Sequence, residues 1–235
     1  MTKEEFYKYL KDELGIELTK NQKDSLLKFA NLLIDYNKHT NLTSITDLDE
    51  IYLKHFYDSL TLSKVIGLHN ILDVLDVGSG GGFPGIVLGI VFPNLNITLL
   101  DSNHKKTDFQ KYAIQELGLH NIISINDRAE NFYKNGNQYD LVVARAVANL
   151  SILSELRIPF VKKNGYFIAM KGNIAEELEN AKNAIEFLGG KIDQIDSFSL
   201  PISLDNRTLI KILKEKDTPS GYPRTYEKIK KKPIN

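Results

Sequence analysis

The residues in this chain that can do chemistry cluster where short apolar runs end. The run Ile71-Leu72-Asp73-Val74-Leu75-Asp76-Val77 reads as a buried parallel strand, and Gly78-Ser79-Gly80-Gly81-Gly82-Phe83-Pro84-Gly85 follows it directly. Glycines in such a turn let the backbone approach a ligand with no Cβ in the way. Pro84 suits the first turn of a following helix, where its missing N–H costs nothing. Strand, glycine turn and helix together make a nucleotide-type cofactor site. The same pattern of charge at a strand end recurs along the chain. Asp76 and Asp101 end the first two runs, Asp127-Arg128-Ala129-Glu130 and Arg145-Ala146 follow the next two, and Lys171-Gly172 follows the fifth. Ligands of open α/β sheets bind beyond the carboxyl ends of the strands, where Asp101 can accept both hydroxyls of a ribose. A purely structural reading would require a buried partner for each of these charges. Apart from them, His55 and Asp58 stand three apart on an expected helix and so face one way, as a base dyad or a phosphate site.

The glycine loop alone fits two cofactors. Gly80-x-Gly82-x-x-Gly85, with Asp101 about twenty residues further on, matches the dinucleotide fingerprint and an NAD-dependent oxidoreductase. Shifted by one glycine, Asp76-x-Gly78-x-Gly80-x-Gly82 is the pattern of class I methyltransferases, whose loop holds the methionine end of S-adenosylmethionine. No Gly-x-Ser-x-Gly nucleophile and no His-Glu-x-x-His pattern occurs, and there is no cysteine, so no metal is expected.

These residues need elements to position them. The first 65 residues read as helices. Thr19-Lys20-Asn21-Gln22 is a capping box ahead of Leu26, Phe29, Ala30 and Leu33; Asn37 to Thr46 is polar and turn-prone; and a further helix is expected from Asp47 to about Ile66. From residue 70 the texture alternates. Strand-like runs fall at Leu72–Val77, Ile97–Asp101, Ile122–Asn126, Leu141–Ala144 and Tyr166–Met170. A helix through Phe109, Ala113 and Leu117 stops at Gly118, and a terminal antiparallel pair is expected at Lys191–Leu200 and Thr208–Leu213. A dinucleotide half predicts six parallel strands with no closing pair, so seven strands favour the methyltransferase.

The composition is that of an ordinary globular chain of 235 residues, 42% hydrophobic, with 30 basic and 30 acidic residues. The longest apolar stretch, Ile86 to Phe92, is too short to span a bilayer, and the N-terminus lacks a signal-peptide core; a cytoplasmic protein with no membrane partner is expected. Zero net charge argues against nucleic acid as a partner. Residues 211–235, however, carry eight basic and three acidic residues, and Tyr222 and Tyr226 between them can stack on bases; a solvated, frayed tail is the plainer expectation. The expected organisation is a helical extension over 1–66, an α/β domain over 67–216 and a basic tail over 217–235.

The chain resembles the bacterial small-subunit ribosomal RNA guanine-N7 methyltransferases, the glucose-inhibited division protein B family. The resemblance runs from about residue 20 to about residue 215. It rests on the order and spacing of Tyr36-Asn37-Lys38-His39-Thr40-Asn41-Leu42-Thr43, Lys54-His55-Phe56-Tyr57-Asp58-Ser59-Leu60, the 75–85 loop, Leu100-Asp101-Ser102, Arg128-Ala129-Glu130 and Arg145-Ala146. It implies a class I, Rossmann-like, seven-stranded methyltransferase fold with an N-terminal helical extension. The implied cofactor is S-adenosylmethionine, the implied partner 16S rRNA or the small ribosomal subunit, and the expected state a monomer. The expected cofactor-binding residues are Asp76, Gly78, Ser79, Gly80, Gly82, Phe83, Asp101, Ser102, Ala129, Glu130 and Arg145, with Ala129 and Glu130 toward the adenine and Arg145 nearest the methyl donor. Asn41, Lys54, His55 and Lys171 are the expected RNA contacts. Lys54 stands where the family often has Arg, and Thr225-Tyr226-Glu227 is less basic than the tail of some members.

Guanine N7 carries a free electron pair and no proton, so its methylation needs no general base. Positioning can supply on the order of 7–11 kcal/mol in favourable cases. No residue is therefore expected to be catalytic in the acid–base sense. Other readings of the sequence are a methyltransferase of another RNA or of a small molecule, a non-catalytic RNA-binding module, and the oxidoreductase.

Overall fold

The computed structural model describes residues 1–145, 148–172 and 174–234; Ala146 of the Arg145-Ala146 pair lies outside the described residues. Two capped helices open the chain. Thr2 and Glu5 form a reciprocal capping box at α1 (Lys3–Leu14), and Thr19 and Gln22 form the expected one at α2 (Lys20–Thr40). Gln22 also donates to the Val91 carbonyl oxygen at 2.9 Å, so one side chain caps one helix and ties down the end of another. The polar stretch expected to turn from Asn37 stays helical to Thr40, with Asn41 as a left-handed cap. The reason is that the Asn37 amide bonds both backbone groups of Thr43, folding the 41–46 loop back on the helix end.

The helix expected over 47–66 is broken up. After α3 (Leu48–Ile51), capped by Asp47, a π-helical turn spans Tyr52–Tyr57, then come α4 (Asp58–Leu60) and a 3-10 turn, Thr61–Lys64. Tyr52, Leu53, His55, Phe56 and Tyr57 are all buried, more of one turn than an α-helical stripe can hide. The wider turn turns these five inward, and such turns recur at functional sites.

Strands and helices then alternate: β1 (Asp73–Val77), α5 (Gly85–Val91), β2 (Asn96–Asp101), α6 (His104–Leu117), β3 (Ile122–Asn126), α7 (Ala129–Phe132), β4 (Tyr139–Arg145), α8 (Leu150–Arg157), β5 (Val161–Lys171), α9 (Ala175–Phe187), β6 (Gly190–Ser199), β7 (Asn206–Lys214) and α10 (Tyr226–Lys231). The described residues build one seven-stranded sheet in the order β3-β2-β1-β4-β5-β7-β6. The first five strands are parallel, and β7 runs antiparallel to both neighbours. The strand order reverses between β1 and β4, which is where open α/β sheets leave a crevice. Because β7 is reversed, its first residues come to the carboxyl end of β5: Thr208 pairs with Lys171.

Alternate strand residues feed two cores. Val74, Leu99 and Ile168 join α1, α2, α5 and the π turn on one face, while Leu75, Leu100 and Phe167 join α8 and α9 on the other. Every residue of α5 is buried, as an all-apolar helix must be; α2 covers the side away from the sheet. Phe29 of α2 stacks on Phe56 and Phe109, and tilts against Phe83 of the glycine loop at 5.4 Å between centroids. The helical extension thus packs directly behind the loop.

A Cβ at Gly85 would stand 2.2 Å from Leu99 Cδ2 and 3.0 Å from Asp76 Oδ2, so the close approach of α5 to β1 and β2 at this point requires glycine. Gly85→Ala is expected to destabilise the fold by about 1–3 kcal/mol, the usual cost of overpacking a full core. Chemical denaturation measures this, and an unchanged midpoint would refute the close-packing argument.

Candidate active site

The glycine loop owes its shape to buried groups beneath it. The Gly80 N–H donates to Asp101 Oδ2 at 2.9 Å, and Gly85 N–H to Asp76 Oδ2 at 2.9 Å. Gln110 of α6, fully buried, donates to Ser79 Oγ and to the Gly80 carbonyl and accepts from Ser124. Gly82 has a φ of +90°, and a Cβ there would meet Ile86 at 2.4 Å, so the turn into α5 requires glycine. Asp76 lies under the loop, and burial pushes its carboxyl up to about 8.

Above the loop, along the carboxyl ends of the strands, lie three adjoining hollows. The first, about 320 Å³, has Val77, Leu100, Ala129 and Leu156 as apolar walls and Asp101, Ser102 and Glu130 as polar ones. The second, about 190 Å³, follows the loop from Gly78 through Ser79 and Gly80 to Phe83 and is closed by Thr43, His55 and Arg145. The third, about 330 Å³, holds Lys54, His55, Asp58, Arg145, Lys171 and Arg207. Gly78 belongs to the first two, and His55 and Arg145 to the last two.

Arg145 organises the junction. Its Nη1 donates to the Lys54 carbonyl oxygen at 2.9 Å and to Asp58 Oδ2 at 3.4 Å, its Nη2 donates to His55 Nδ1 at 3.1 Å, and the guanidinium carbon sits 5.1 Å from the centre of the Phe83 ring. His55 stacks on the same ring at 4.2 Å. With Nδ1 accepting from Arg145, the ring proton sits on Nε2 and reaches Thr43 Oγ1 at 3.1 Å. Burial, helped by the Arg145 charge, pulls His55 down to about 3, so the imidazole is neutral at every ordinary pH. His55 and Asp58 therefore do not form a dyad: Arg145 stands between them, and the other Asp58 oxygen accepts from Arg207 Nε at 2.9 Å.

Of the residues expected from sequence to contact the cofactor, Gly78, Asp101, Ser102, Ala129 and Glu130 line the first hollow, and Ser79, Gly80, Phe83 and Arg145 line the second. Asp76 and Gly82 shape the loop from beneath and line neither. Lys54, His55 and Lys171 meet in the third hollow, whereas Asn41 is exposed at the end of α2 and does not line it. Lys171 is held by Glu177 and by the Ala148 carbonyl oxygen. Arg207, Arg157 and Gln110 are not among the residues expected from sequence, and Thr43, quoted there only within the 36–43 motif, closes the second hollow. Arg157 of α8 is buried on the wall of the first hollow; its Nη2 donates to the Val77 carbonyl oxygen at 3.3 Å, and its Nε has no partner among the described residues. An arginine closing the apolar series Leu150, Leu153 and Leu156 was the available signal.

A model of the family described as rRNA small subunit methyltransferase G (GidB) matches residues 22–209. The ribosomal RNA small subunit methyltransferase G of Oceanobacillus iheyensis is 46% identical over the whole of both chains, and that of Desulforamulus reducens is 46% identical over 94% of each. Among solved structures, a precorrin-6y C5,15-methyltransferase from Geobacter metallireducens superposes with a TM-score of 0.51 at 16% identity, over 67% of this chain and 88% of that one. That likeness shows the class I methyltransferase fold.

Asp76 gives a pH test of the buried loop anchor. A carboxyl raised from its unfolded value near 4 to about 8 favours the folded state below pH 4, and that contribution is lost as pH rises toward 8. Wild type should therefore lose stability relative to Asp76→Asn between pH 5 and pH 8, by up to about 1.4 kcal/mol per pH unit. Denaturant unfolding at both pH values reads this, and a difference independent of pH would contradict it.

Proposed function

The chain belongs to the rRNA small subunit methyltransferase G family, and from that premise we propose that it transfers the methyl group of S-adenosylmethionine to N7 of a guanine in 16S rRNA. The observation that carries this reading is the row of three hollows joined at Gly78 and at His55–Arg145. The first offers apolar walls for an adenine, the Asp101 carboxylate for a ribose and the Glu130 carboxylate for an exocyclic amine. The second offers the loop backbone to an amino-acid chain. The bound cofactor supplies a methyl group on a sulfonium, a good electrophile. The residues of the chain set the geometry around it.

Substrate enters from the third hollow. Its four cations, Lys54, Arg145, Lys171 and Arg207, are held by Glu50, Asp58 and Glu177, with Asp58 shared between the two arginines and Asp205 also acting on Lys54, so a phosphodiester would meet cations already fixed in place. Ile45 and Met170 give a base an apolar surface, and the neutral His55 ring adds no charge beside a guanine that becomes cationic as it is methylated. A guanine in A-form RNA hides N7 in a deep, narrow groove, so the target is an unstacked or loop nucleotide. The helical extension, 1–66, supplies one wall of this entrance through its π turn, and a ribosomal substrate places the protein in the cytoplasm. No helix among the described residues is long and apolar enough to cross a membrane.

Methyl transfer from labelled S-adenosylmethionine to 16S rRNA and to small-subunit particles, mapped by strand scission at 7-methylguanine, tests the reaction. Label at one guanine is expected, and label on another base or on no rRNA overturns the assignment. Lys54→Ala and Arg207→Gln should each raise the KM for RNA several-fold and flatten its salt dependence while leaving cofactor affinity unchanged. Because His55 stays neutral, the single-turnover rate should show no inflection between pH 5.5 and 7.5. A tenfold rise per pH unit in that range would point instead to an imidazole base.

A further inference from the structure

The C-terminal segment does not fray into solvent; it folds back along α8 to the mouth of the first hollow. Its anchor is a buried ion pair. Glu155 of α8 has no exposed surface, and Arg224 meets it three times: backbone N–H to Oε1 at 3.0 Å, Nε to Oε1 at 2.7 Å and Nη2 to Oε2 at 2.5 Å. A carboxylate this deep is costly to leave unpaired, so the docked segment is part of the fold. Tyr222 packs edge-on against Phe187, and Ile229 of α10 is fully buried. Between these fixed points stands Tyr226. Its N–H donates to Glu130 Oε1 at 3.2 Å, and the residue lines the hollow beside Ala129 and Glu130. On the wall of the same hollow, Arg157 lies two residues beyond Glu155, so α8 holds the strap with one side chain and walls the cavity with the next.

We propose that residues 222–231 complete the cofactor pocket, with Tyr226 as the outer wall against which the cofactor's adenine packs and the Arg224–Glu155 pair as the positioning device that holds it there. This rests on the assignment of the first hollow to the adenine. The Tyr226 N–H also fixes one Glu130 oxygen, leaving the other for the amine at the adenine edge. The basic character of the tail then has two parts: Arg224 is consumed in the fold, and only the lysines of α10 and beyond remain for solvent or RNA.

The test is calorimetric titration of S-adenosylhomocysteine into the full chain and into Tyr226→Ala, Tyr226→Phe, Arg224→Ala, Arg224→Lys and Glu130→Ala, with 16S rRNA binding measured in parallel. Tyr226→Ala should weaken S-adenosylhomocysteine about tenfold or more, the scale of losing one aromatic partner of a base, and leave RNA affinity unchanged. Tyr226→Phe should bind within twofold of wild type. Arg224→Ala should weaken binding through Tyr226, and Arg224→Lys should restore part of it. Tyr226 is 39% exposed, so the melting temperature of Tyr226→Ala without cofactor should match wild type. If Tyr226→Ala binds S-adenosylhomocysteine normally while Glu130→Ala does not, the strap proposal is overturned; weakened RNA binding in the same variant would make the strap an RNA contact. If both variants bind normally, the adenine assignment itself fails.

Discussion

The site is built around the pairing of one guanidinium. Arg145 emerges at the end of β4, largely shielded from water, and a charge in that position costs several kcal/mol unless it is paired and hydrogen-bonded. The answers come from the Lys54 carbonyl and His55 in the π turn, from Asp58 just after it, and from the face of Phe83 in the glycine loop. Satisfying this one side chain therefore fixes the helical extension against both the sheet and the loop. Asp58 passes the constraint on to β7 by accepting from Arg207 as well. The neutrality of His55 follows from its burial in the same arrangement, and the Arg145 charge beside it adds to the effect.

The glycine loop depends on a second set of buried bonds, from Asp76, Asp101 and Gln110, all below the ligand surface. Part of the charge at the strand ends is thus spent on shaping the backbone, and part lines the hollows. Asp101 does both: it holds Gly80 and also lines the first hollow. This double use explains why acids at successive strand ends are tolerated. Asp101 is answered by the N–H groups of Gly80 and Asn103, whereas Asp76 receives the Gly85 N–H on one oxygen only, its Oδ1 has no partner among the described residues, and burial holds it toward its neutral form.

The order of the elements could be read from the sequence because it follows from local pattern. Apolar runs gave the strands, and Gly118 and the Thr19–Gln22 box marked helix ends through backbone chemistry that a few neighbouring residues decide. The sheet's closing antiparallel pair was visible because no helix-length segment separates Lys191–Leu200 from Thr208–Leu213. What escaped depends on contacts distant in sequence. The π turn results from burying five neighbouring side chains against two helices and a loop at once, which a 3.6-residue period does not encode. Arg207 lies on the reversed β7, whose amino end rather than its carboxyl end reaches the site, so the rule that ligands bind at strand carboxyl ends does not point to it. Tyr226 and Glu130 are separated by 96 residues, and nothing in either local sequence announces the other.

On the proposed function, the three hollows form one reaction path with its junction at Phe83, His55 and Arg145. A crystal structure of the full chain with S-adenosylhomocysteine tests this most directly. The adenosine is expected between Asp101 and Glu130, the amino-acid chain along Gly78–Gly80, and the sulfur beside Phe83 and Arg145, facing the hollow that holds Lys54 and Lys171. A sulfur turned away from that hollow, or an adenosine seated in it, would contradict the claim.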